Sequence, residues 1–285
     1  MNERLRWPPP PLIGRRFHPS TAHFMPPASG GLSIRRIVDQ LVHEEYAKLD
    51  QIDIWTSGDG TCLSTKNWPW RPHGQLYQVL LAEPLERWFE HMAVDLSQLR
   101  LIVTLRDPRD SIISQYHLTN EPVHVAITSG HPIAASYAAE AERVRQWTLE
   151  GYIAERFASQ VDNLRAIRRV VDRLQPENVC FLSYAQLCER FPHFLQGLIE
   201  FLQIRPSPAV IATLLQTEDI RYKERLHRDS LSHCANAAPM PGRHKRELKP
   251  ETISWMTQEC SDILNWMAAH ETPELASLYL GGVTP

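Results

Sequence analysis

The run from Leu99 to Leu105 is apolar except at Arg100 and Thr104, and partly β-branched. A strand that is apolar in both phases of its two-residue period buries both faces, which places it inside a parallel sheet with helices on each side. The residues that follow, Arg106-Asp-Pro-Arg-Asp110, form a charged, proline-containing turn, and a helical pattern starts at Asp110. A buried strand that ends on an arginine and turns at once into a helix restricts the chain to an α/β architecture.

The same grammar recurs along the chain. Thr21 to Met25 reads as a short strand, Pro26 to Gly31 as a turn, and Leu32 to Leu49 as a helix whose Ile34, Ile37, Val38 and Leu41 share one face. Leu76 to Leu81 is a second strand, ended by Glu83-Pro84, and Leu85 to Met92 is helical in pattern. Val179 to Ser183 is another buried strand. Helices are expected within 137–174, 185–202 and 207–217, and a last one over 250–270. The polar segment 53–74 reads as an irregular excursion and 117–136 as a loop over a site. Strands alternating with helices predict a single α/β domain, with a central parallel sheet and helices on both faces. That domain is expected over 21–285, after a Pro/Arg-rich extension over 1–20; 285 residues at 43% hydrophobic and 22% charged suit it.

Composition excludes other classes. A net charge of −3 argues against coating nucleic acid or an anionic membrane surface. No apolar run approaches the roughly 18 residues of a membrane span, and the first dozen residues have no apolar signal core. Five cysteines, odd in number and without CxxC spacing, signal neither a disulfide framework nor a zinc site. The expectation is a soluble protein of a reducing cytoplasm, with no metal.

Arg106 leaves the strand at its carboxyl edge, where open α/β sheets bind ligands, and Ser114 follows about one helical turn past the helix start. Together they can offer one phosphate a guanidinium fork and a hydroxyl; the bland alternative is a surface turn whose Arg and Asp residues pair with each other. The run Leu101 to Tyr116 resembles the 3′-phosphate-binding segment of sulfotransferases that use 3′-phosphoadenosine 5′-phosphosulfate (PAPS). In that family an Arg and a Ser eight positions later hold the 3′-phosphate, which corresponds to Arg106 and Ser114. Upstream, Pro27-Ala28-Ser29-Gly30-Gly31-Leu32-Ser33 resembles the family's 5′-phosphosulfate loop, Pro-Lys-Ser-Gly-Thr-Thr-Trp. Glycines there let backbone approach a phosphate, and the helix dipole favours its charge.

The departures from that loop are specific. Ala28 stands where the family has a catalytic Lys or Arg, Gly31 and Leu32 replace hydroxyl residues, and Ser33 replaces an aromatic that can stack on adenine. Phe181-Leu-Ser-Tyr184-Ala-Gln-Leu187 resembles the strand ending in Tyr-Glu-Asp-Leu, whose Tyr contacts adenine, and Phe201-Leu202 the Phe-Leu that follows. Gly242-Arg243-His244-Lys245-Arg246-Glu247-Leu248 resembles the Gly-Arg-Trp-Arg-x-x-Leu loop that closes over the 3′-phosphate. Glu83, twenty-three residues before Arg106, stands near the family's acceptor-activating base; His73 is a second candidate, at the other end of its strand.

The resemblance implies a P-loop NTPase-like sulfotransferase fold, PAPS as co-substrate, 3′-phosphoadenosine 5′-phosphate (PAP) as product, and no metal. It implies sulfuryl transfer to a hydroxyl or amine of a small-molecule, carbohydrate or natural-product acceptor. Trp55, Trp68, Trp70 and 117–136 are candidate linings of the acceptor pocket. The charge absent at position 28 must come from elsewhere, with Arg35, Arg36, Arg15, Arg16, Lys66 and His23 as candidates. A catalytically weak or inactive nucleotide-binding protein of the same fold is the alternative. A P-loop kinase is disfavoured, because Gly-x-x-x-x-Gly-Lys-Ser/Thr is absent.

Overall fold

The central strand of that reading, β4 (Arg100–Leu105), is buried along its whole length in a computed structural model that describes residues 19–43, 50–54, 71–79, 96–120, 139, 141–219 and 240–281. Alternate side chains of β4 enter two different cores: Leu101, Val103 and Leu105 one, Ile102 the other. β1 (Thr21–Phe24), β2 (Asp50–Ile54), β3 (Gln75–Val79) and β5 (Val179–Ser183) complete a sheet of order β2-β3-β1-β4-β5 among the described residues. Every pairing is parallel: Thr21 lies opposite Leu76 and Arg100, Asp50 opposite Gln75, and Leu101 opposite Val179.

α1 (Gly31–His43) covers one face of the sheet with Ile34, Ile37, Val38 and Leu41, each at most 1% exposed. Their core also holds Leu182 of β5 and side chains of α4 (Tyr184–Glu189), α5 (Phe191–Leu202) and α6 (Pro208–Thr217). The opposite face carries α2 (Pro108–Asn120) and α3 (Leu149–Val171). Thr148 caps α3 by accepting the Gly151 amide, 3.1 Å away, and Ile153, Phe157, Val161, Leu164 and Ile167 recur on its buried face. After the short α7 (His244–Glu247), α8 (Pro250–Glu259), α9 (Ser261–Ala268) and α10 (Pro273–Leu280) pack on this side too.

Several boundaries depart from the expected ones. β2 falls at the start of the segment read as irregular, because Asp50-Gln-Ile-Asp-Ile54 lacks the apolar run of an interior strand; among the described residues it is the end strand of the sheet, paired with β3 alone. α2 begins at Pro108, a residue preorganised for a first helical turn, and runs on to Asn120. The helix expected over 185–202 breaks at Arg190, with Pro192 in the next first turn, and that over 250–270 breaks at Cys260. α10 was not expected at all. The N-terminal extension as far as residue 18 and the helical pattern at 85–92 lie outside the described residues. No helix among the described residues is long and apolar enough to cross a membrane.

Candidate functional site

The connection after β1 leads through α1 towards β2, whereas that after β4 leads through α2 and α3 towards β5. Neighbouring strands whose connections part in this way open a crevice at their carboxyl ends, the topological switch point where α/β sheets bind ligands. The loop on the β1 side turns tightly, with Ala28 at φ 57° and Gly30 at φ 88°, and the Ser29 amide donates to the Pro26 carbonyl at 3.1 Å. A Cβ on Gly30 would lie 2.8 Å from Cδ2 of Tyr184 and 3.2 Å from Cδ2 of Leu187, so glycine is required for space as well as for φ. The amides that open α1 have no acceptor within the helix and sit at its positive end. Ser29 Oγ, in the same turn, is buried without a hydrogen-bond partner among the described residues.

Arg106 faces this loop from the end of β4. Its Nη1 donates to the Ala28 carbonyl at 3.0 Å, and its guanidinium carbon lies 4.1 Å above the Tyr184 ring. Arg106 Nε is buried and has no hydrogen-bond partner among the described residues. Burial pushes the Tyr184 hydroxyl pKa well up, so it stays neutral. α2 holds the loop a second time, as Ser111 Oγ and Gln115 Nε2 both donate to the Pro27 carbonyl, at 2.8 and 3.3 Å. Ser114 lies half-buried on the same helix. Arg106, Tyr184 and the loop are thus brought together, while Ser114 is placed only on the helix that Ser111 and Gln115 tie to that loop.

Residues 242–247 close against α2 through two carboxylates. Asp110, 1% exposed, accepts the Gly242 amide at 2.7 Å on one oxygen, and the His244 amide and Nδ1–H at 2.8 and 2.6 Å on the other. Burial drives its carboxyl pKa up, but the His244 bonds and the Arg106 charge outweigh that and hold it below the usual range. His244 is itself 1% exposed, and its Nε2 has no partner among the described residues. Glu247 accepts from Arg243 Nε and, at 2.9 Å, from His117 Nε2. Lys245 points away, donating to the Gly281 carbonyl at 3.1 Å. The turn between β4 and α2 is fixed by Arg109, wholly buried, which grips Asp107 through Nε and Nη2 at 3.0 and 2.7 Å and ties it to Thr257 of α8 and the Tyr279 carbonyl of α10.

Other candidates are not brought to the crevice. His73 is exposed, bridged to Pro19, and precedes β3; it lies at the amino edge of the sheet, a strand length or roughly 16 Å from the carboxyl ends. As a base for chemistry at the loop it is therefore corrected. His23 is fully buried in β1 beside Thr104 Oγ1 at 2.7 Å, and burial, with the Arg35 charge, lowers its pKa to about 3, so it supplies no cation at neutral pH. Arg35 approaches Asp39 at 3.7 Å, while Arg36 reaches back to Ser33 Oγ at 3.0 Å and pairs with Glu218 at 3.2 Å. Glu83, Arg15, Arg16, Lys66, Trp55, Trp68 and Trp70 lie outside the described residues, as does the side chain of Leu32. Sequence reasoning missed Asp110 and Ser111 as holders of neighbouring loops. Asp110 reads simply as an acidic residue favoured at a helix start, and the serine carried no signal.

A glycine-bearing loop and an arginine-ended strand meet at the switch point of a parallel sheet, the crevice of an α/β domain. The model of the Sulfotransferase domain matches residues 35–230, and the chain belongs to that family. Among solved structures, it is similar to the mouse sulfotransferase SULT7A1 complexed with PAP, at 11% identity and a TM-score of 0.55, over 93% of this chain and 88% of that one. It is also similar to a retinol dehydratase in complex with androsterone and PAP, at 14% identity and a TM-score of 0.49, over 86% of this chain and 80% of that one. At these identities the likeness is one of fold. No curated protein matches the chain.

Proposed function

We propose that the chain binds PAPS at the switch-point crevice and transfers its sulfuryl group to a hydroxyl or amine of a small-molecule, carbohydrate or natural-product acceptor. The observation that carries this reading is Arg106, which joins the loop to Tyr184 and keeps a buried, unpartnered Nε–H beside them. Ser29 Oγ, a hydroxyl able to donate, is likewise buried and unpartnered among the described residues. Unpaired buried polar groups are costly, and an anion rich in acceptor oxygens satisfies them. Family membership and the PAP held in the solved relatives support the same ligand.

In this reading Arg106, Ser114 and the 242–244 segment grip the 3′-phosphate, the amides of Gly30 to Leu32 with the Ser29 and Ser33 hydroxyls face the 5′-phosphate, and Tyr184 borders the adenine. PAPS, when bound, supplies an activated sulfuryl group for an in-line displacement like phosphoryl transfer, in which positioning and charge stabilisation dominate. No metal is assigned. Glu83 is the base assigned to take the acceptor's proton. Residues 21–285 form the transferase domain and the preceding extension is accessory. Titration with PAP tests the site: Arg106→Ala with Ser114→Ala should weaken binding at least tenfold, since charge-assisted phosphate bonds contribute about 1.5–3 kcal/mol. Unchanged affinity in that double variant, or no affinity in the native chain, overturns the assignment.

One observation favours the second reading, a nucleotide-binding protein of low turnover. Position 28 offers only a methyl group, and its carbonyl is taken by Arg106. Ala28 already holds its left-handed backbone with a Cβ, so Ala28→Lys adds charge without new backbone strain. If leaving-group charge is unmet, Ala28→Lys should raise radiolabelled sulfate transfer by up to about a thousandfold, as for catalytic arginines in phosphoryl transfer. An already high native rate, unaltered by the lysine, would refute the low-turnover reading.

A further inference from the structure

We infer that Arg36, held in place by Glu218 and Ser33, is the platform on which the nucleotide's adenine stacks. The inference deepens the nucleotide reading above and rests on it. Position 33, where the family carries a stacking aromatic, is a serine here, with no ring to offer. Arg36 lies three residues further along α1, on the same face, and long helical side chains lean towards the helix start. Its Nη2 donates to Ser33 Oγ at 3.0 Å, so the guanidinium fills the space beside the serine.

The orientation is fixed by a second bond, from Arg36 Nε to Glu218 Oε2 at 3.2 Å. N–H groups of a guanidinium donate in its plane, so neither bond occupies a flat face; the side chain is 53% exposed while Glu218, its anchor, is 11% exposed. As a stabilising pair such a half-exposed bridge contributes little. As a device for holding a plane it is apt, because guanidinium planes stack on bases and aromatic rings. Ser33 also donates its amide to the Gly30 carbonyl at 3.0 Å, and Tyr184 packs on Gly30. The guanidinium and the residue assigned to adenine therefore border the same turn.

Calorimetric titration of the full chain with PAP and with the base-free ribose 3,5-bisphosphate tests this. Arg36→Ala and Arg36→Lys should both weaken PAP roughly fivefold to hundredfold, as loss of a base stack does, and leave the base-free ligand unaffected. Arg36→Ala with Ser33→Trp should recover PAP affinity by restoring a ring. Full affinity in Arg36→Lys, or an equal loss for both ligands, would make the contact one of charge to phosphate and overturn the platform. So would a native chain that binds both ligands equally. A native chain that binds neither overturns the nucleotide reading itself, and the platform with it.

Discussion

At position 30 two constraints coincide. A methyl group would stand 2.8 Å from the Tyr184 ring, and φ of +88° lies where residues with a Cβ are strained. Gly30→Ala must therefore either unwind the turn or push Tyr184 from beneath the Arg106 guanidinium, which lies 4.1 Å above it. The expected cost is about 2 kcal/mol, read as a lower midpoint in thermal or urea unfolding, with a weaker response to PAP than the native chain gives. Retained stability would mean that ring and loop separate freely. The glycine, the arginine and the tyrosine were each legible as residues. Their contact was not, because it joins residues 30, 106 and 184 through packing that no local pattern encodes.

Among the elements, α2 organises the site. Its Asp110 receives two backbone amides and an imidazole from the 242–244 segment, and its Ser111 and Gln115 hold the loop after β1. Asp110→Asn keeps the shape but removes the charge and turns one acceptor into a donor facing buried N–H groups. A loss of about 2–4 kcal/mol is expected, together with faster hydrogen exchange at the Gly242 and His244 amides. Exchange as slow as in the native chain would show that the segment is held by other contacts. β4, β5 and α1 were readable because their buried faces are continuous apolar runs or helical stripes. β2 was hidden by the polar residues of a strand at the sheet's end, and α10 is held by the wholly buried Arg109, donating to the Tyr279 carbonyl, a bond spanning 170 residues. The basic run after Gly242 reads as a loop that closes over the 3′-phosphate; in the structure Arg243 pairs with Glu247 and Lys245 with the Gly281 carbonyl. Long flexible cations settle on whichever partner the fold brings near, and sequence order does not reveal it.

For the molecule as a whole, the buried imidazole of His23 sets a dependence of stability on pH. Burial first, and the Arg35 charge second, depress its pKa from 6.5 to about 3, so the folded state refuses a proton that the unfolded chain accepts. Above pH 6.5 the ring is neutral in both states and this contribution to stability is complete. As pH falls from about 6.5 towards 3 it is lost, at up to about 1.4 kcal/mol per pH unit. His270, exposed yet lowered by partial loss of solvent around its ring, acts with the same sign. Asp110, held below the usual carboxylate range, adds a loss only at lower pH, below the ordinary carboxyl value of 3.8. Glu247 and Glu274 are also lowered, from an ordinary 4.5, so the interval from pH 6.5 to about 5.5 isolates the histidines. Urea unfolding across it should give a falling free energy for the native chain and a flatter profile for His23→Gln, whatever that variant loses in absolute stability. Parallel profiles for the two proteins would place the pH response elsewhere and free His23 to carry charge in the folded state.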